Sequence, residues 1–297
     1  MRAELGQWRG QVGSTLLLIR GAWHAGAYSP QDVCPSQVIN FGEVLFLDWT
    51  SVRALWSRLE LQGLVVAAVI TIGWLWVIGR CLRADTTPRQ QWGLGAGLAA
   101  AAAAFVPSIV LVQVPCQTAV SRWVMSSLST ANQLITAIPA IALSGLIQEA
   151  VKAVFALACW RVARSAGNSS ASAVGGLFGA WVGAGYGGME AWVILSGLFR
   201  APGTTARMVA AAVAERLPVV AVHAALPALV LGHWAKSGPA GGMAALLVVA
   251  FWHGLINYGV VLARTGVLGL TSTYLYVYLT CLLPLAYLLV RARRERT

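Results

Sequence analysis

The chain has 297 residues, 58% of them hydrophobic and only 10% charged, with a formal net charge of +11 and a mean hydropathy of +0.70. A soluble domain would carry about a quarter charged residues, so these values exclude an ordinary water-soluble enzyme. They predict an all-α, polytopic transmembrane bundle built as one helical domain, and no nucleic-acid partner, because the basic excess sits in short segments where it sets membrane topology.

Residues 1–60 precede the first long apolar run. The stretch Ser14–Ile19 is short, stopped by Arg20 and preceded by Glu4, which is not the pattern of a secretory signal. The segment reads as an outer, interfacial region whose Trp8, Trp23, Trp49 and Trp56 suit the headgroup level of a bilayer.

Seven apolar stretches follow, at 61–79, 92–114, 134–160, 173–199, 210–234, 243–263 and 268–290, each near the 20 or so residues that a spanning helix requires. The membrane domain is thus 61–290, followed by a basic tail at 291–297. Arg80, Arg83, Arg89, Arg161, Arg164, Lys236 and the four tail arginines fall in one alternating set of loops. The positive-inside rule then predicts an outer N-terminus and a cytoplasmic C-terminus.

The cysteines, at 34, 81, 116, 159 and 281, contain no Cys-x-x-Cys pair, so a zinc ribbon has no support. A Cys34–Cys116 disulfide stays open beside the simpler reading of thiols packed as small apolar groups.

Ionisable residues interrupt the apolar middles of four spans. In the third span Gln148, Glu149 and Lys152 lie within one turn and a half. Glu149 and Lys152 share a face at i,i+3 and can neutralise one another. The fourth span carries Gly175, Gly179, Gly183 and Gly187, a smooth stripe at four-residue spacing, and tight packing of a partner helix is its direct consequence. Glu190 follows three residues later with no basic residue within a turn, so its partner must come from another helix.

The fifth span places His223 mid-helix, and the sixth places His253 and Asn257 four apart on one face. A charge near a bilayer centre costs at least about 2.5–3.5 kcal/mol, so such groups persist when paired, inward-facing or at work. A structural ion-pair network and a polar reaction site both meet that condition. Bundles build metal sites from inward Glu and His, so Glu149, Glu190, His223 and His253 are also a candidate set for Zn²⁺, which with an open position activates water. His233, at the end of its span beside Trp234, needs only an interfacial role.

The ordered motifs Gln148-Glu149-Ala-Val-Lys152, Gly183-Ala-Gly-Tyr-Gly-Gly-Met-Glu190, Val219-Val-Ala-Val-His223 and His253-Gly-Leu-Ile-Asn257 cover residues 134–263. In that order they resemble the intramembrane protease superfamily of CAAX-prenyl endopeptidases, bacteriocin-processing enzymes, PrsW and YhfC, with YhfC the nearest in pattern. The resemblance implies a membrane-embedded endopeptidase, of metallo- or glutamic type, in a bacterial plasma membrane. Its substrate would be a peptide bond in or near the bilayer.

On that resemblance Glu149, Glu190, His223 and His253 surround a catalytic water, Asn257 serves the oxyanion, and Lys152 and Gln148 support Glu149. Zn²⁺ is left open as a cofactor. Two motifs depart from the family pattern. Val219 replaces a Phe, and Gln148 replaces a leading Glu to which the prenyl-endopeptidase branch assigns water activation. The Gln-Glu pair is similar to that of APH-1, the scaffold subunit of gamma-secretase, so a non-catalytic scaffold or binding protein is the second expectation. A transporter relaying protons through its carboxylates is the third.

Overall fold

The structure, a computed structural model, describes residues 59–82, 86–127, 132–163 and 171–294. Among these every regular element is helical and there is no strand. The four N-terminal tryptophans, Cys34 and the last three residues of the tail lie outside the described residues.

Helix α1 is Leu61–Leu82. Helix α2, Pro88–Pro107, opens with a reciprocal cap: Thr87 accepts from the Gln90 backbone and the Gln90 side chain accepts from that of Thr87. A π-helical turn at Ser108–Gln113 joins it to α3, Val114–Ser127. The short α4, Gln133–Thr136, leads into α5, Ile138–Ala163. Helix α6 is Ala171–Arg200, α7 is Ala206–Arg264 and α8 is Leu270–Arg294. The last helix continues through Arg291, Arg293 and Arg294 of the basic tail.

Among the described residues five helical stretches are long and apolar enough to cross a membrane: Leu61–Leu82, Pro88–Val124, Gln133–Ala163, Ala206–Arg264 and Leu270–Arg294. This is compatible with an integral membrane protein. The difference from seven has two physical sources. Helix α6 is not among the five, because its many glycines and Glu190 dilute its apolar side chains. The fifth and sixth expected spans are joined in α7.

Helix α7 is 59 residues long, which straight would reach almost 90 Å, about three times the hydrocarbon thickness of a bilayer. It does not run straight. Gly238 has φ +70° and ψ −166°, outside helical space, and Pro239 follows. Glycine tolerates that backbone where a helix ends, and proline is well placed to start the next one. The two limbs, 206–237 and 239–264, fold back on each other. The rings of His223 and His253 lie 5.0 Å apart, whereas 30 residues of straight helix would separate them by about 45 Å.

The long helical segments, counting Pro88–Val124 and Gln133–Ala163 as one each and the two limbs of α7 separately, alternate in direction. At one end Arg89 donates to the Val162 carbonyl at 2.8 Å and Arg291 meets His233 Nδ1 at 2.7 Å. At the other Glu60 pairs with Arg200, and the Tyr258 hydroxyl donates to the Leu134 carbonyl at 2.9 Å. The second of these ends is called the 60/200 end below.

The glycine stripe does what its spacing predicts. A Cβ added at Gly175 would meet the Leu231 carbonyl, one at Gly179 the Pro227 carbonyl, and one at Gly183 the His223 carbonyl. The first limb of α7 therefore lies almost backbone-to-backbone on α6. Gly145 of α5 faces Ala250 and Gly254 of the second limb just as closely. Small residues thus draw α5, α6 and both limbs of α7 together, and the main apolar core, with Phe178, Val182, Leu226 and Leu231, surrounds that contact.

Candidate functional site

At mid-length of these four tightly packed segments, the ionisable residues meet. Glu149 and Lys152 are completely buried on α5. Lys152 Nζ donates to Glu149 Oε1. The same oxygen lies 2.5 Å from His253 Nδ1 on the second limb of α7. Lys152 Nζ also lies 3.1 Å from His223 Nδ1 on the first limb, and the other ring nitrogen of His223, Nε2, lies 3.1 Å from Glu190 Oε2 on α6. The expected residues therefore form one continuous chain, His253–Glu149–Lys152–His223–Glu190, rather than four separate contacts.

The chain continues beyond the residues singled out from sequence. Arg216 Nη1 donates to Glu190 Oε1 at 3.0 Å, and the guanidinium also pairs with the neighbouring Glu215. Arg216, with His223, is the partner from another helix that Glu190 required. The Glu190 and Glu215 side chains retain 21% and 24% exposure. The network thus runs from a closed end at Glu149 to a partly open one at Glu215, on the 60/200 side.

Tyr186 closes the wall behind Lys152. It is wholly buried, its ring centroid is 5.3 Å from Lys152 Nζ, and its hydroxyl is 3.0 Å from Ser108 Oγ in the π-helical turn. Its ring packs edge-on against Phe105 and lies 6.0 Å from that of His223. A cation over an aromatic face gains roughly 2 kcal/mol when desolvated, which helps to hold an ammonium in this position. Only its place within the Gly-rich motif hinted at Tyr186.

A second polar group adjoins Glu149. Gln113, the last residue of the π-helical turn, donates to Ser144 Oγ at 2.8 Å and to Gln117 Oε1 at 3.2 Å. Asn257 Nδ2 approaches Ser144 Oγ at 3.5 Å, the outer limit of a hydrogen bond. Asn257 is one turn from His253, and Gln148 is one turn from Ser144. This brings every residue of the expected site into one contiguous polar region. His233 stands apart from it, bonded to the Leu229 carbonyl and Arg291.

Among the described residues three buried acceptors, Glu149 Oε2, Gln148 Oε1 and Gln113 Oε1, have no hydrogen-bond partner. Such atoms cost about 1–3 kcal/mol each when left unpaired, so they mark where a donor belongs.

The arrangement does not fit the zinc expectation. The Lys152 ammonium takes the space between Glu149 and His223 that a dication would need, and both nitrogens of His223 are engaged. Among the described residues no three His, Cys, Asp or Glu stand together as a metal-ligand group. What the site offers is the chemistry of carboxylate, imidazole and amide.

A separate groove of about 410 Å³ lies between α1, α2 and α6, lined by apolar and small residues such as Ala67, Leu98, Ala102 and Met189. Among the described residues that line it none is ionisable, and α6 divides it from the polar network.

Set beside family models, characterised proteins and solved structures, the chain matches none.

Proposed function

We propose that the chain is an integral membrane endopeptidase that hydrolyses a peptide bond within or beside the bilayer. The observation that carries this reading is Glu149. One of its oxygens is held by Lys152 and His253, and the other is buried with no partner among the described residues. A carboxylate fixed in this way is oriented for general-base catalysis, which contributes about 10²–10⁴-fold to a rate.

In this reading a water bound at Glu149 Oε2 attacks the scissile carbonyl carbon as its proton passes to Glu149. The Asn257 amide donates to the resulting oxyanion. Collapse of the tetrahedral intermediate breaks the C–N bond, and the proton on Glu149 passes to the leaving nitrogen. Lys152 keeps Glu149 ionised beforehand. His223, Glu190 and Arg216 hold Lys152 and His253 in register. The 60/200 end faces outward, in keeping with the basic residues at the opposite end.

The order of the four motifs supports the reading independently, through the resemblance to the YhfC and PrsW branches. A non-catalytic scaffold is the second reading. It is favoured by one observation: each carboxylate of the network already has a cation beside it, Lys152 for Glu149 and Arg216 for Glu190 and Glu215.

The test is cleavage of a membrane-embedded reporter in proteoliposomes by the wild-type chain and by Glu149→Gln, Glu190→Gln, His223→Ala and His253→Ala, with thermal unfolding of each variant in parallel. The protease reading expects Glu149→Gln to lose at least about 100-fold in rate while remaining folded. Unchanged cleavage in all four variants eliminates the site. Loss of folding without any detectable cleavage by wild type assigns the network to a scaffold.

A further inference from the structure

Two of the unpaired acceptors have no part in activating water. Gln148 Oε1 and Gln113 Oε1 are both amide oxygens, both on residues more than nine-tenths buried, and neither has a donor among the described residues. They come from different helices. Gln113 reaches the region because the π-helical turn Ser108–Gln113 shifts the register of the segment between α2 and α3, a distortion that recurs at functional positions. Its amide nitrogen is bound to Ser144 and Gln117, which fixes which end of the amide is left over. Gln148 lies one helical turn along α5 from Ser144, on the same face, and Glu149 is its neighbour.

Asn257, whose amide also approaches Ser144, brings a donor to the same place. A guest here must give hydrogen bonds to two carbonyl-type oxygens and take at least one. An extended peptide backbone has that pattern: its N–H and C=O groups alternate along each edge. An apolar ligand does not, and an anion has no donors to give.

We propose that Gln113 and Gln148 form a peptide-backbone subsite beside Glu149, accepting N–H groups of a bound, extended chain. The inference deepens the endopeptidase reading and rests on it for the identity of the guest. It also gives Gln148 a role of its own. At this position an amide accepts a peptide N–H without adding a further charge to the Glu149–Lys152 pair.

The shared chemistry is an N–H or O–H donor, and it has two sources, peptide and bound water. The experiment uses the full chain in phosphatidylcholine–phosphatidylglycerol nanodiscs and two probes: a capped tetra-leucine peptide and the same peptide methylated on alternate backbone nitrogens. Binding is read as the rise in melting temperature with peptide concentration, in wild type, in Gln113→Leu/Gln148→Leu and in Gln148→Glu.

The expected result is that wild type binds the unmethylated peptide about tenfold or more tightly than the methylated one. The double leucine variant loses this preference, and Gln148→Glu, which keeps acceptor oxygens, retains it. Equal binding of both peptides by wild type overturns the subsite. So does the absence of any binding combined with higher stability of the double leucine variant, which assigns the two acceptors to water. Discriminating binding with no cleavage of any reporter leaves the subsite standing and retires the endopeptidase, so the two failures are told apart.

Discussion

Arg216 stands opposite Glu190, its Nη1 3.0 Å from Glu190 Oε1, at the place that the glycine register of α6 assigns to it. Gly175, Gly179 and Gly183 face Leu231, Pro227 and His223. Each step of four residues along α6 is therefore matched by a step of four backwards along α7. Continued to position 190, the same register arrives at 216. The close approach that glycine permits thus also sets which cation meets the carboxylate.

That pairing predicts strong coupling. In a double-mutant cycle of Glu190→Leu and Arg216→Met, the first change leaves Arg216 with Glu215, the second leaves both Glu190 and Glu215 without this cation, and the double change leaves only Glu215 in that position. The two are expected to couple by about 0.5–3 kcal/mol, with the double variant more stable than the sum of the singles predicts. Unfolding in mild detergent with increasing dodecyl sulfate measures it, and additivity within error counts against a direct pair.

Lys152 offers a sharper case because it is completely buried. Lys152→Met strips Glu149 of its cation, and breaking a buried pair from one side costs about 3–5 kcal/mol. Glu149→Gln/Lys152→Met should recover a large part of that loss while remaining inactive. The same unfolding assay, run beside reporter cleavage, separates the structural role of the pair from its chemical one.

The glycine stripe divides into positions that hold the helices and a position that touches the site. A side chain at Gly183 meets the His223 carbonyl, whereas one at Gly187 meets the base of the His223 side chain, its Cβ and Cγ. Gly183→Val must push α6 and α7 apart and is expected to cost about 1–3 kcal/mol or more. Gly187→Ala presses on the His223 Cβ and Cγ and so displaces the imidazole from Lys152 and Glu190, and it should lower cleavage more than it lowers melting temperature. Equal loss of both properties in the two variants contradicts this division.

Orientation is open to direct labelling. With the five native cysteines replaced by alanine, Ala201→Cys and Ser237→Cys mark opposite ends of the bundle. A membrane-impermeant maleimide added to intact cells is expected to modify position 201 only. Position 237 should react after permeabilisation, and the reverse pattern places the basic end outside.

Much of this arrangement was legible in the sequence. Apolar runs of spanning length marked the helices. The isolated polar residues Glu149, Glu190, His223, His253 and Asn257 had to face inward, because lipid rejects them, and the structure brings them together. Arg216 and Glu215 were hidden because hydropathy scores a charge near a helix start as an interruption; only the packing register reveals what faces it. Gln113 was hidden for a different reason. The wider π-helical turn rotates it away from the position that 3.6-residue periodicity would give, and nothing in its own side chain signals that rotation. The span count was blurred by α6, whose glycines serve packing rather than apolarity.

The hairpin at Gly238 has a bearing on how this site comes into being. Both imidazoles belong to a single unbroken stretch of backbone and already meet once its two limbs have closed. Biogenesis of the centre is then a docking problem with few pieces: α5 carries the acid and its ammonium, α6 carries the second acid, and each is added to a ready-made pair of rings. A lesion in the hairpin turn should accordingly disable both histidines together.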